Sequence, residues 1–395
     1  MPLSDEQKQI LKTTSPIFKE NGKEITSIIY KHMFAAHPEL LNIFNRTNQK
    51  NGTQPFALAN TVYLAIENID HLDTLLPQIL LIAHKHRAST VQPEHYPIVG
   101  KYLIIAIDEF LGGMGDPSIL SAWSAAYNII ASIFINIEKK MYSELGDKTE
   151  QGFIPFSIIK KETIAIGPTV SFTLERRDGG KIHDYHAGQY ITLRIKKDGL
   201  YHIRHYSLIE PFDGKTYSIA VKQEKDHEPK GIVSTELIEK YKEGDLVTLS
   251  LPAGTYALIK DAKHHLFIAG GIGISVFSAM ILELHKQGKS DITTLIHCVP
   301  TEEQAAFTDE MRIVLPKKQY HLLLQGKRLL QETIAKTIMA KTQVYLCGSP
   351  TFMNKVEEYL AQCGHPPSQI HIEAFQPSLS LLKDVVKNQS CTKTL

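Results

Sequence analysis

The feature that most constrains this chain is that its hydrophobic pattern changes period twice along its 395 residues. From residue 4 to about 145, apolar side chains recur at helical spacing, as at Ile25, Ile28, Ile29 and Tyr30, or Leu103, Ile104 and Ile107. Ser4 and Gln7 have the spacing of a capping box at the head of the first helix. Pro38, Pro55, Pro77, Pro93 and Pro117 fall where helices should start or break, and residues 122–142 are long enough for a last helix of several turns. Around 146–156 the texture changes. The runs TVSFTLER, QYITLRI, YSIAVKQE and DLVTLSL, separated by GG, DG and PAG turns, predict a small antiparallel β-barrel. From about Lys263 the runs HLFIAGG, DITTLIHCV and QVYLCG read as buried strands alternating with helices such as TFMNKVEEYLAQCG, the signature of a parallel sheet. The expected fold is therefore multidomain: an all-α domain, then an antiparallel β-barrel, then an α/β parallel-sheet domain. A chain of this length also exceeds what one core usually holds.

Composition narrows the partners. The net charge is +1, and neither the first 150 residues nor the rest is basic, which argues against nucleic acid and anionic membrane surfaces. Cys298, Cys347, Cys363 and Cys391 form no C-x-x-C pair, so reduced thiols and a cytoplasmic location are expected. The opening MPLSDEQKQI lacks a signal-peptide core, and no run reaches the ~18 uninterrupted apolar residues of an integral membrane segment. Small molecules are the expected partners.

Two glycine turns point to a nucleotide. FIAGGIGIS follows a strand and opens a helix, and Gly271 and Gly273 let the backbone approach a phosphate at the helix N-terminus. The G-x-G-x-x-G fingerprint is not met, because Val276 takes the third glycine's place. YLCGSP ends another strand with a second glycine turn, at Cys347 and Gly348. In an open α/β sheet, ligands bind at such strand ends. Upstream, RHYSL offers the Arg204 fork for a pyrophosphate and the Tyr206 ring for a flat heterocycle. KGIVSTEL offers a further anion site at a helix start. IAHKHRAS carries two histidines on one helix. Its periodicity lets either His84 or His86 point inward.

The order GQY, RxYS, a Gly–Val–Ser helix start, GxGxS, CG and EAFQP resembles the ferredoxin–NADP reductase family. With the all-α segment in front, residues 1–377 resemble a flavohaemoglobin. The resemblance implies a globin domain at 1–147, an FAD-binding barrel at 151–259, an NAD(P)-binding domain at 263–377 and an unassigned tail at 378–395, joined near 146–152. It implies heme b, FAD and NAD(P)H as cofactors, NO and O2 as substrates, and a monomer. His86 matches the proximal iron ligand, with Tyr96 and Glu138 as acceptors behind it, while His84 turns to solvent. An anionic acceptor strengthens the axial donor and suits oxygen activation over storage. On the distal side the resemblance places Tyr30, Phe44, Gln54 and Leu58, with the Tyr30 phenol donating a hydrogen bond to dioxygen. It assigns FAD to Gln189, Tyr190, Arg204, Tyr206, Ser207, Gly231, Val233 and Ser234. It assigns the dinucleotide to Gly271, Gly273, Ser275, Cys347 and Gly348. Phe375 then lies against the flavin or nicotinamide, and Lys85 and Glu373 lie on the electron path.

The implied reaction is nitric oxide dioxygenation to nitrate, with electrons from NAD(P)H passing through FAD. Three departures from the family pattern bear on the nicotinamide pocket: Ile274 and Val276 in GIGISV, CGSP for CGP, and AFQP for a CFGP-like end. The sequence shows no Arg cluster for a 2′-phosphate, which favours NADH. The rival readings are an O2-binding or sensing globin with a resetting reductase, and a flavin reductase acting on peroxides or other acceptors.

Overall fold

The computed structural model describes residues 2–44, 53–113, 115–145, 152–223, 231–324 and 327–375, with the side chains of 53–56 and 327–328 outside that description. Residues 146–151 of the linker expected near 146–152, and the tail at 378–395, lie outside the described residues. The chain forms two compact units: Met1–Gly152 with Ile195–Ile203, and Phe153–Arg194 with Arg204–Phe375.

The first unit is helical. Helix α1 (Asp5–Ala36) opens with the expected capping box: Ser4 Oγ accepts from Gln7 N–H, and Gln7 Oε1 accepts from Ser4 N–H. It then runs through Pro16, which has no N–H for the Lys12 carbonyl. The buried Ser15 hydroxyl stands in, 3.3 Å from that carbonyl and 2.7 Å from Glu67 Oε1. Helices α2 (Thr53–Glu67), α3 (Leu76–Ala88), α4 (His95–Phe110) and α5 (Pro117–Ser143) follow. Pro77 and Pro117 fall in the first turns of α3 and α5, where a missing N–H costs nothing. Helix α1 packs on α2, α4 and α5 around Leu11, Phe18, Ile25, Ile29, Met33 and Trp123. Phe18 stacks on Trp123 with centroids 4.6 Å apart.

Against the expectation that no segment would suit a membrane, α5 is long and apolar enough to cross one by length and composition. In the fold its inner face packs into the helical core, with Trp123, Phe134, Glu138 and Tyr142 buried. The few polar residues along it break any uninterrupted apolar run but leave its mean hydropathy high.

Two sheets follow, both in the second unit except for residues 195–203. The first has the strand order β4-β3-β6-β1-β2-β5, built from β1 (Ile154–Ala165), β2 (Thr169–Arg176), β3 (Tyr190–Lys197), β4 (Leu200–Ser207), β5 (Thr216–Lys222) and β6 (Leu246–Leu249). The β1–β2, β1–β6, β2–β5 and β3–β6 pairs are antiparallel. A bridge between Leu208 and Ile219 ties the end of β4 to β5, so the two edge strands meet, as in the expected barrel. Helix α6 (Ile232–Glu239) packs beside β5.

The second sheet is parallel, in the order β11-β10-β7-β8-β9: β7 (His264–Gly270), β8 (Thr293–Val299), β9 (Tyr320–Leu324), β10 (Thr342–Cys347) and β11 (Ile370–Glu373). Helix α7 (Ile274–Lys286) covers one face with α8 (Thr308–Val314). Helices α9 (Lys327–Thr337) and α10 (Pro350–Gln362) lie on the other. Strand β7 is buried on both sides, and its run of apolar residues reflects that.

Candidate functional site

The helical unit assembles its polar core around one of the two histidines. His86 lies in the last turn of α3, over Ile79 and Ala83. Its Nδ1 is 2.8 Å from Glu138 Oε1 and 3.0 Å from the Tyr96 hydroxyl, and Tyr96 donates its own proton to Glu138 Oε1 at 2.7 Å. Glu138 is 3% exposed. A ring held through Nδ1 in this way has its orientation and tautomer fixed and presents Nε2 as a ligand. Among the described residues no hydrogen bond engages that Nε2. Burial, and then Glu138, push the Tyr96 phenol far up, so it remains a donor.

Two further tyrosines, not singled out in the sequence, hold this arrangement. Tyr127 donates to the Tyr96 carbonyl at 2.7 Å. Tyr142, one turn after Glu138, donates to the Val91 carbonyl just past α3 at 3.0 Å. Both sit at helical spacing in an apolar helix, so they read as core aromatics, with only their hydroxyls to distinguish them.

His84 corrects the expectation that it is solvated. It is half-buried, and burial, with Arg87 adding, pushes it down to about 4. The helix turns it against protein because α3 is short and packed on more than one side.

Tyr30 is buried on α1, its ring 5.5 Å from Phe34 and 5.7 Å from Phe44. Leu58 and Phe44 pack against the same cluster, and Tyr127 and Ile130 belong both to it and to the cluster around Tyr96. Burial pushes the Tyr30 phenol up, so it stays protonated. Its hydroxyl makes no hydrogen bond among the described residues. A phenol waiting for an acceptor and an imidazole nitrogen waiting for a metal suit a bound haem. Gln54 lies in α2, but its side chain is outside the described residues.

In the second unit the GQY and RxYS motifs meet. Leu208 N–H, just after β4, donates to the Gln189 carbonyl at 3.0 Å. The Gln189 side chain spans from His186 N–H (3.0 Å) to the Gly254 carbonyl (2.9 Å). The buried Tyr190 ring lies 5.0 Å from His205. Arg204 and Tyr206 are half-buried on one face of β4, and Ser207 is buried. Gly231 is the N-cap of α6 with no side-chain cap, which leaves first-turn N–H groups for an anion. Val233 and Ser234 are buried, with Ser234 Oγ donating to the Gly231 carbonyl at 3.3 Å.

The two glycine turns abut. Strands β7 and β10 are parallel neighbours, with Ala269 opposite Cys347, and their C-terminal turns touch. A Cβ on Gly273 would stand 2.5 Å from the Cys347 carbonyl oxygen and 3.1 Å from Gly348 N, so only glycine fits. Gly271 takes φ +55°, and a Cβ there would enter open space, the room a phosphate needs. Ser275, at the second position of α7, is buried. Burial, with Glu373 adding, pushes the Cys347 thiol far up, and Glu373 pairs in register with Cys347 across β11. Phe375 follows, 48% exposed. Lys85 belongs to the first unit and Glu373 to the second.

The departures in sequence take definite places. Ile274 and Val276 are fully buried in the core under α7. Ser349 in CGSP is the N-cap of α10, accepting from Phe352 N–H at 3.3 Å. Gln376 of AFQP is outside the described residues.

The helical unit and the paired sheets define the class: a globin-type unit joined to a flavin-reductase-type module. The globin profile matches residues 27–134, and the oxidoreductase FAD-binding domain profile matches 155–258. A flavohemoprotein of Bacillus subtilis is 37% identical over 405 residues, covering 95% of this chain and 98% of its own. One from Halalkalibacterium halodurans is 36% identical over 404, covering 96% and 98%. The crystal structure of flavohemoglobin from Malassezia yamatoensis, with bound FAD and heme, superposes with TM-score 0.83 at 25% identity, covering 94% of this chain and 99% of that one. The FAD/NAD-binding domain of a nitric oxide dioxygenase from Vibrio cholerae gives TM-score 0.52 at 29% identity, covering 56% and 98%. The chain belongs to the flavohaemoglobin (flavohemoprotein) family.

Proposed function

We propose that the protein is an NAD(P)H-dependent nitric oxide dioxygenase holding heme b and FAD. The observation that carries this reading is the Glu138–Tyr96–His86 set: a buried carboxylate and a phenol behind one imidazole nitrogen, with the other nitrogen unengaged. Bound haem would supply iron chemistry toward dioxygen and nitric oxide, and bound FAD would supply hydride acceptance and one-electron transfer. His86 would hold the iron, and Glu138 would make the ring a stronger donor than a neutral acceptor would. Tyr30 would donate a hydrogen bond to dioxygen, Gln54 would add a second donor, and Phe44 and Leu58 would limit the approach of water. Arg204 would fork onto the pyrophosphate of FAD, the Tyr206 ring would stack on its flat heterocycle, and Gln189, Tyr190, Ser207, Gly231, Val233 and Ser234 would complete its seat.

The turns at Gly271, Gly273, Ser275, Cys347 and Gly348 would receive the dinucleotide at strand ends, and Phe375 is assigned to the flavin or nicotinamide region. Lys85 and Glu373 are assigned to the electron path. In this reading residues 1–147 carry haem, 151–259 FAD and 263–377 NAD(P)H. A cytoplasmic location fits the free thiols of Cys298, Cys347 and Cys363, and a monomer is the state the family resemblance implies.

The test follows added nitric oxide with an electrode, using the full chain loaded with haem and FAD, in air. Rapid loss that needs both NADH and dioxygen, with nitrate formed, supports the reading. NADH oxidation with no acceleration of nitric oxide loss overturns it in favour of a flavin reductase acting on other acceptors.

A further inference from the structure

His297 lies on β8, with Ala269 of β7 and Leu322 of β9 as its register partners, on the sheet face covered by α7. It is fully buried, yet none of the activity described above uses it. Its Nε2 is 3.0 Å from the carbonyl oxygen of Gly271, the one residue of the first glycine turn with φ +55°. A carbonyl only accepts, so the imidazole proton is on Nε2 and Nδ1 is left as an acceptor. Among the described residues nothing donates to that Nδ1, which is buried. Burial pushes the ring down to about 4, so it stays neutral and the Nε2–H donor persists.

The placement is costly unless the single bond matters. A buried acceptor without a donor costs about 1–3 kcal/mol. Leucine or valine, like the neighbouring β8 residues Leu295 and Val299, would occupy a strand without that cost. What the ring gains is a hold on one oxygen. The Gly271 carbonyl already accepts from Ile274 N–H at the head of α7, and His297 fills its second lone pair. With both positions taken, the peptide plane of Gly271 cannot rotate, and the turn stays open on the side where a Cβ would meet nothing.

We propose that His297 is a positioning residue for dinucleotide binding, holding the Gly271 peptide so that the β7–α7 turn is formed before the pyrophosphate of NAD(P)H arrives. Fully buried, it offers no surface to nicotinamide or flavin and acts through the Gly271 peptide. This inference rests on the glycine turns being the dinucleotide site. Loss of the bond should weaken binding without slowing the reaction of bound substrate.

The experiment compares His297→Leu, His297→Gln and Gly271→Ala in the full chain loaded with haem and FAD. Gln places an amide N–H near the position of Nε2. Ala at Gly271 puts a methyl group into the open space of the turn. Steady-state kinetics with NADH are paired with calorimetric titration of ADP-ribose, and flavin content and far-UV circular dichroism report the fold. The expected result for His297→Leu is an NADH KM and an ADP-ribose Kd each raised about tenfold, with kcat within twofold. His297→Gln should stay within threefold of the parent on all three. If His297→Leu binds like the parent while Gly271→Ala is weakened, the role of His297 is wrong and the site stands. Leu and Gln weakening binding equally also overturns it, since the bond is then not the cause. If neither His297→Leu nor Gly271→Ala changes binding, the glycine turns are not the dinucleotide site. Should His297→Leu fail to fold, His297→Asn, too short to reach Gly271, takes its place with the same criteria.

Discussion

A carboxylate as buried as Glu138 needs donors, and it finds them in the ring of His86 and the hydroxyl of Tyr96. Glu138→Gln keeps the size and loses the charge. The haem-loaded ferrous protein is then expected to show a lower iron–histidine stretching frequency by resonance Raman, with folding reduced by about 1–3 kcal/mol. An unchanged frequency would remove Glu138 from control of the axial donor. Tyr30→Phe separates chemistry from stability more cleanly, because the hydroxyl has no partner to lose among the described residues. The expected thermal midpoint is unchanged or slightly raised, and dioxygen release is about tenfold faster or more, read by stopped-flow displacement. An unaltered release rate takes Tyr30 out of the mechanism. At this scale the sequence was only partly legible. Periodicity left His84 and His86 open, since both sit on faces with apolar neighbours, and the choice needed the family resemblance. The structure supports His86 with two partners brought from 10 and 52 residues away. His297 was hidden for a related reason: inside DITTLIHCV it reads as strand core, and its partner is a backbone oxygen, which no sequence pattern marks.

Among the elements, α1 depends on a local substitution of one hydrogen-bond donor for another. Ser15 Oγ has a single proton to share between Glu67 and the Lys12 carbonyl that Pro16 leaves without its usual N–H. Ser15→Ala is expected to cost about 1–3 kcal/mol and to lower the thermal midpoint of the helical unit. Pro16→Ala restores the N–H, so the double variant should lose less than Ser15→Ala alone. Simple additivity in that cycle would show that the two positions are independent.

The helical pattern of residues 4–145, helices α6, α7 and α10, and the strands β2, β3, β5 to β8 and β10 were readable from periodicity, apolar runs and glycine turns, whereas α8 and α9, short and set between strands, were not. Strand β1 was not. Lys160, Lys161 and Glu162 interrupt it, and register shifts break its alternation. Lys161 is there for a tertiary reason: Nζ donates to the Ile238 and Tyr241 carbonyls at the end of α6. Strands β9 and β11 are five and four residues long, half-buried at the sheet edges, too short for any period to show.

Across the whole molecule, buried histidines set the response to acid. His84, His265 and His297 are each pushed down to about 4 by burial, and His264 and His371 are lowered for the same reason. In the unfolded chain they titrate near 6.5. Between about 4 and 6.5 the unfolded state therefore binds more protons, so their contribution is complete above 6.5 and is lost as pH falls toward 4. Glu310 opposes them. Burial, with Glu210 adding, pushes it up to about 7, so the folded state holds its extra proton and stability from this group falls as pH rises from 4.5 to 7. Each proton of difference changes stability by about 1.4 kcal/mol per pH unit, and the histidines outnumber the raised glutamates Glu310 and Glu210. The urea midpoint of the cofactor-loaded chain should therefore drop between pH 6.5 and 5, before most carboxylates titrate. His265→Phe isolates one contribution. His265 stacks with Phe267 and Tyr345, its Nε2 has no partner among the described residues, and its Nδ1 meets the Tyr345 hydroxyl at a long 3.3 Å, so a phenyl ring fits the same stack at the loss of one weak bond. That variant should be at least as stable at pH 5 as the parent and should show a pH slope smaller by about one proton. An equal slope in both would mean that His265 titrates alike in the folded and unfolded chains, and the acid sensitivity would then have to come from elsewhere.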